Sequence, residues 1–301
     1  MNQLLLKIDN LMEGQVIKRP SQYIKTPYVA DVKCIDTLEQ VLAHTASLGC
    51  CGLADVNASI LMAVSPEPKT KTVPKNKANM KCTHTVYLSV LRFNNNEHNG
   101  NERNNNEQII GIHPKLAEKL TETALTNNLL SRLQNIKKYR RETAIYIKDQ
   151  VDSRFDFTGV DQDGIPFIME VKNVPLADYE DVSSVDRKKM DFTGRPFDTK
   201  VAYFPDGYRK KSSDPVSPRA LKHIRELTLI KRETKTRCIM CYVIQRTDVN
   251  RFQPSIIDPE YREAFKTAID SGVEIITMVI QWTKEGEAFF VRDDLPITPF
   301  D

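Results

Sequence analysis

Asp156, Glu170 and Lys172 are the residues whose types and spacing could do chemistry together. They sit in two alternating segments, Ser153 to Phe157 and Phe167 to Val174, which flank the turn formers Asp161, Gln162, Asp163 and Gly164, so a hairpin is expected. If it folds about Asp163, Asp156 falls opposite Glu170, with Lys172 two residues along on the same face. Alternation sends Asp156 to the face opposite Phe155 and Phe157. It likewise sends Glu170 and Lys172 to the face opposite Phe167, Met169 and Val171. Two carboxylates directly opposite one another repel by a few tenths to about 1 kcal/mol. The pair therefore calls for a compensating charge, and a divalent cation is one candidate.

The elements that must position this hairpin read as α/β. A strand at Ile109 to His113 leads into a helix opened by Pro114, with Leu116, Leu120 and Ala124 at four-residue spacing and Glu118 and Glu122 partly exposed. Glu142 to Lys148 alternates as a strand. Residues 178 to 200 carry several charges and little periodicity, which predicts a surface insertion with room for mobility. Ser217 and Pro218 open a second helix whose wheel turns Ala220, Leu221, Ile224, Leu227 and Thr228 inward. Arg219, Lys222, His223 and Glu226 share the other face, either solvated or, beside a phosphodiester, supplying Arg219 and Lys222 as contacts. Cys238 to Gln245 is apolar enough for a strand covered on both faces. A helix from Asp258-Pro259 to Gly272 and a strand at Val273 to Trp282 follow, which implies a right-handed crossover and a parallel pair.

The first half has a different texture. Five strand candidates, Gly14 to Arg19, Tyr28 to Ile35, Leu38 to Thr45, Ala58 to Ser65 and Thr83 to Phe93, predict a small OB-like β-barrel over residues 1–93. Between the last two lies a basic run with Lys69, Lys71, Lys75, Lys77 and Lys81, which either is solvated or tracks a phosphate backbone. Residues 94–107 form an Asn-rich, low-complexity stretch expected to be a disordered insertion, and His98 in it is assigned no role. Residues 108–301 make up the second domain.

The chain has 301 residues, a hydrophobic content of 40%, a charged content of 28% and a net charge of +3, ordinary values for a globular protein with room for a real core. So small a net charge leaves any nucleic-acid affinity to local patches. Lys7, Asp9 and Asn10 interrupt the apolar run at the start, and no run approaches a membrane span. An intracellular, soluble protein with no membrane partner is expected. The six cysteines lack disulfide or zinc spacing. Cys238 and Cys241 would point to opposite faces of one strand, and buried free thiols are the simpler reading.

An acid on one strand and an E-x-K on the next resembles the constellation of PD-(D/E)XK nucleases. Further motifs extend the resemblance: Ser153 to Phe157, Glu170-Val171-Lys172-Asn173-Val174, Phe204-Pro205-Asp206, Lys222 to Leu227, Gln245-Arg246, Arg251-Phe252 and Asp258-Pro259-Glu260-Tyr261. In that order they resemble the sugar fermentation stimulation protein (SfsA) family, and Glu13-Gly14 to Arg19-Pro20 and Pro68 to Thr72 extend the likeness into the first half. The resemblance implies an OB-like domain followed by a PD-(D/E)XK nuclease-like domain, a mixed sheet flanked by helices, and DNA binding with the strand state open. It also implies a Mg²⁺- or Mn²⁺-dependent endonuclease or exonuclease site. In that site Asp156, Glu170 and the Val171 carbonyl hold the metal, and Lys172 serves the attacking water or the developing charge.

The chain departs from the family where Thr45-Ala46-Ser47-Leu48-Gly49 replaces a CPNTG segment, and where Thr123 stands at a helix position usually acidic. Glu122, one step away, and Glu142, in a strand matching an acidic position, are then the candidate additional acids. The alternative is a non-catalytic DNA-binding or transcription-regulatory protein on a vestigial nuclease fold. No glycine-rich phosphate loop or paired sugar-cleaving carboxylates stand out to favour sugar chemistry.

Overall fold

The computed structural model describes residues 2–45, 52–66, 82–92, 107–205 and 215–300. The basic run with Lys69, Lys71, Lys75, Lys77 and Lys81, and the Asn-rich stretch up to residue 106, lie outside the described residues.

The first strand, β1 (Gln3–Lys7), leaves the neighbourhood of its successors and pairs antiparallel with the last strand of the chain. The next five, β2 (Met12–Lys18), β3 (Val29–Cys34), β4 (Gln40–Thr45), β5 (Ser59–Val64) and β6 (His84–Arg92), close into the expected OB-like barrel. Its order is β4-β3-β2-β5-β6, and a parallel β4–β6 pairing shuts the ring. Val16, Val32, Ile60, Met62 and Val86 fill the inside, as one face of each alternating strand must when the other meets water. β7 (Glu107–Gly111) adds to β6, so this strand, expected in the second domain, extends the barrel sheet.

The second half holds a mixed seven-stranded sheet. After α1 (Pro114–Thr126) come β8 (Lys138–Ile147), β9 (Val151–Val160) and β10 (Pro166–Val174). β11 (Ala177–Asp178) and α2 (Ser184–Arg187) lead to β12 (Lys200–Phe204). Then follow α3 (Pro218–Glu233), β13 (Arg237–Ile244), β14 (Val249–Pro254), α4 (Pro259–Asp270), β15 (Glu274–Trp282) and β16 (Glu287–Arg292). The large sheet runs β1-β16-β15-β13-β10-β9-β8, while β11, β12 and β14 form a small separate one. β10–β13 and β13–β15 are parallel, with α3 and α4 as their crossovers, as the spacing of apolar runs requires.

Helix α1 covers one face of the large sheet with Leu116, Leu120, Ala124 and Leu125. Helices α3 and α4 cover the other with Ile224, Leu227, Tyr261 and Phe265. Each large apolar side chain so buried contributes roughly 1.5–3 kcal/mol. Cys238 and Cys241 do point into opposite cores, and burial pushes both thiols up to about 12, so both are neutral. No described helix is long and apolar enough to cross a membrane.

One expectation is narrowed here and one fails. Residues 178 to 200 are anchored: Asp181 is buried and accepts from the Gln253 side chain at 2.9 Å, Ser255 Oγ at 3.0 Å and the Ile256 N–H at 2.9 Å. Lys200 is likewise buried against Asp248 at 2.6 Å. Residues 182–199 stay mostly exposed, the surface segment that charges without periodicity suggest, while buried charges pin its two ends. On α3, His223 and Glu226 are buried beside the apolar stripe. The helix meets α4 as well as strands β13 and β9 of the sheet, so its covered arc is wider than one wheel face.

Candidate functional site

Asp161 organises the hairpin turn. Its Oδ1 accepts from the N–H groups of Asp163 (3.0 Å) and Ile165 (2.8 Å), and its Oδ2 from Arg237 (3.0 Å). Gly164 takes φ 85°, a conformation a Cβ would disfavour. The register then runs as the turn dictates, Pro166 with Val160, Phe167 with Gly159, Ile168 with Thr158 and Met169 with Phe157, which brings Asp156 level with Glu170.

At that step the ladder opens. Asp156 Oδ2 accepts the Val171 N–H at 2.7 Å, so a side chain takes the place of the next strand carbonyl. On the other side of β9 the pairing is interrupted at the same level. Arg141 faces Phe157 and Thr143 faces Phe155, with Glu142 between them at φ 48°. Register is equal on both sides, so no residue is inserted into one strand alone; the two-stranded ribbon turns over. Phe157 packs under α1 and Phe155 under α3, contrary to the expectation that both lie on one face. Tyr139 and Ile145 on β8 divide between the two cores in the same way.

Glu170 is buried, and its Oε1 is held by Lys172 Nζ and by His223 Nδ1, the latter at 2.5 Å. Its Oε2 is buried with no hydrogen-bond partner among the described residues. Burial acts to raise this carboxyl, but the Lys172 charge and the His223 hydrogen bond and charge outweigh it and hold Glu170 below the usual carboxylate range. Asp156 shows the opposite balance. Burial, then the Glu170 charge, push it up to about 7, against smaller opposing effects of Lys172 and the Val171 N–H. Only one of these two acids stays ionised comfortably.

A groove between the N-terminal ends of α1 and α3 is lined by this pair and by Glu118, Lys172, Asn173 and Arg219. Of the sequence candidates, Asp156, Glu170, Val171, Lys172 and Arg219 are brought together. Lys222 is not: its ammonium donates to the Asp152 carbonyl at 2.5 Å and lies 3.7 Å from Glu226. Glu122 is occupied by Tyr139 (3.1 Å) and Arg141 (2.7 Å), and Glu142 is exposed, 3.6 Å from Arg154. The α1 acid that lines the groove is Glu118, whose charge also acts on Asp156. Sequence reasoning also missed His223. The available signal was its position three residues after Ala220 and four before Leu227, inside the apolar stripe.

Among the described residues no three His, Cys, Asp or Glu side chains converge as a metal-ligand set. The site offers two carboxylates, one with a partnerless buried oxygen and the other pushed up to about 7 by burial and then by its neighbour. A hard cation that keeps several waters suits such a donor set; a thiolate- or imidazole-seeking metal does not.

The family profile described as "Sugar fermentation stimulation protein RE domain" matches residues 115–186 and 188–286. A sugar fermentation stimulation protein homolog of Nitrosococcus oceani is 24% identical, covering 97% of this chain and 99% of the relative. One from Prochlorococcus marinus is 28% identical over 95% and 94%. Another, from Jannaschia, is 32% identical over 63% of this chain and 65% of the relative. The solved structure of Pyrococcus furiosus SfsA, in complex with Ca²⁺, superposes with a TM-score of 0.68 at 19% identity, covering 99% of this chain and 100% of that one.

Proposed function

The chain belongs to the sugar fermentation stimulation protein family, and on that premise we propose that it is a DNA-binding protein with a Mg²⁺-dependent phosphodiester-hydrolysing site. The observation that carries the reading is the Asp156–Glu170 pair at the opened strand step, with Glu170 Oε2 buried and unpartnered. Asp156, Glu170 and the Val171 carbonyl would hold Mg²⁺ or Mn²⁺. That carbonyl points the same way as the Val171 N–H, into the step that β9 leaves open. A cation bound there supplies a water of lowered pKa and a counter-charge for the phosphate. The Ca²⁺ in the Pyrococcus furiosus relative supports a hard-cation site in this fold.

The chain's own side chains supply the rest. Lys172, its ammonium already turned to Glu170, is placed to donate to an oxygen that gains charge during hydrolysis. Arg219 is exposed on the groove wall with no ion pair among the described residues, as a phosphate contact would be. The lysines of residues 69–81 are proposed as further backbone contacts, and their contribution would appear as salt dependence.

The experiment is incubation of labelled single- and double-stranded DNA with the protein and Mg²⁺ or Mn²⁺, beside Glu170→Gln. Cleavage lost in the variant is expected; cleavage that persists unchanged removes Glu170 from the mechanism. A second reading rests on one specific observation. Lys172 and His223 already occupy Glu170 Oε1, which suits a DNA-binding or regulatory protein that performs no hydrolysis. Salt-dependent DNA binding with no metal-dependent cleavage selects it.

A further inference from the structure

A donor-only group on β15 sets the direction of a hydrogen-bond chain that ends in the groove. The Trp282 indole N–H donates to Gln245 Oε1 at 2.7 Å. An indole nitrogen can only donate, so this end of the Gln245 amide is the oxygen and the other end is the NH₂. Gln245 Nε2 in turn donates to Asn173 Oδ1 at 2.7 Å. Asn173 therefore has its acceptor turned to the interior and its NH₂ free of the chain. Asn173 follows Lys172 directly and lines the groove, and no described residue accepts from its Nδ2.

Nothing nearby can reverse this polarity. Gln245 is 0% exposed and Trp282 4%, so water does not compete for the amide. The last barrel strand closes over it. The Gly111 N–H donates to the Gln245 carbonyl at 3.3 Å, and a Cβ on Gly111 would stand 2.4 Å from Gln245 Oε1 and 2.6 Å from Trp282 Nε1. A flipped Gln245 would set two donors against each other at Trp282 and two acceptors at Asn173.

We infer that Asn173 is a substrate-binding residue whose NH₂, aimed by Gln245 and Trp282, donates to a phosphodiester oxygen in the groove. The inference rests on the nucleic-acid reading above. An acceptor-only anion is the matching ligand because the same groove is lined by Lys172 and Arg219, and an aimed amide donor adds a directional contact to two charges. Gln245 and Trp282 are positioning residues: they touch no substrate and act through Asn173.

The test is fluorescence anisotropy of a labelled oligonucleotide at fixed low salt, with Ca²⁺ as the cation, together with thermal melting of each variant. Asn173→Asp keeps an acceptor for Gln245 and turns the donor into a carboxylate; it weakens binding by about 10-fold or more, the size of one charge-assisted hydrogen bond. Asn173→Ala weakens it by about 3-fold, the size of a neutral hydrogen bond lost. Gln245→Glu can accept from Trp282 but not donate onward. It reverses the Asn173 amide and weakens binding toward the Asn173→Asp level. In an Asn173→Ala background Gln245→Glu has no further effect, a cancellation that simple loss of packing would not produce.

Asn173→Asp binding as tightly as the wild type, while Arg219→Ala binds more weakly, overturns this inference and leaves the nucleic-acid reading standing. An equal effect of Gln245→Glu with and without Asn173 removes the aiming role. Wild-type protein that binds no oligonucleotide overturns the reading and the inference together.

Discussion

Two buried charge clusters on the sheet half differ in whether their bonding is complete. At the junction of β12, β13 and β14, Asp248 accepts from Arg246 Nε and Nη2, each at 2.6 Å, and from Lys200 at 2.6 Å. Arg246 also donates to the Pro175 carbonyl, and the Lys200 ammonium lies 3.6 Å from the Phe197 ring centre. Burial would raise Asp248, but the hydrogen bonds and charge of Arg246 overcome it, so the carboxylate stays ionised. At Asp156 and Glu170 two acids share one lysine, a histidine bonds only Glu170, an oxygen goes unpaired and one acid is pushed toward neutrality. The closed cluster leaves nothing for a ligand to add. The open one leaves a buried acceptor unpaired, and that difference separates charges the fold itself satisfies from charges a ligand could still pair with.

Removing a member of the closed cluster gives the largest effect. Asp248→Ala leaves Lys200 and Arg246 buried without their anion and lowers stability by about 3–5 kcal/mol in chemical denaturation; a loss under about 1 kcal/mol would break the comparison. Next comes cation binding: Ca²⁺ or Mn²⁺ at about 100 times its dissociation constant stabilises the wild type by about 2.7 kcal/mol, read as a rise in Tm. Glu170→Gln shows no such rise.

A third effect follows pH. Asp156 has its folded pKa at about 7 against the usual 3.8, so the folded state favours the protonated acid. The stability it gives is fully present below about pH 4 and lost as pH climbs through about 7. Asp156→Asn escapes that loss. It melts higher than the wild type at pH 8, by about 1–2 kcal/mol in stability after allowing for partial exposure, and the margin shrinks at pH 5. A margin that grows toward acid would contradict the assignment. The smallest effect lies outside both clusters: Glu142→Gly relieves φ 48° at an exposed site, changes stability by no more than about 1 kcal/mol, and leaves the cation response intact. A lost response would make Glu142 part of the site after all.

Much of this contrast can be traced to local sequence. Asp161 and Gly164 specify the turn, and with it the register that sets Asp156 beside Glu170; barrel strands and crossover helices follow from periodicity and caps. The turnover at Glu142 and Asp156 left no such mark, because a non-glycine residue at positive φ looks like any other strand residue, and alternation assumes a ribbon that does not roll. His223 was misplaced because a helical wheel assigns polar residues outward, whereas α3 is enclosed on more than one side. The Trp282–Gln245–Asn173 chain joins residues over a hundred positions apart, and only the folded sheet brings them together.

The pairing of β1 with β16 has a bearing on how the protein is made. The barrel strands emerge from the ribosome as one continuous run and can close while the rest is still being synthesised. Gln3–Lys7 precedes them, yet its partner, Glu287–Arg292, begins 280 residues after Lys7. Until that partner is synthesised the first strand is a bare edge, the kind of edge on which nascent chains aggregate. A barrel expressed alone should therefore begin after this strand, and a sheet half expressed without it should be the less soluble piece.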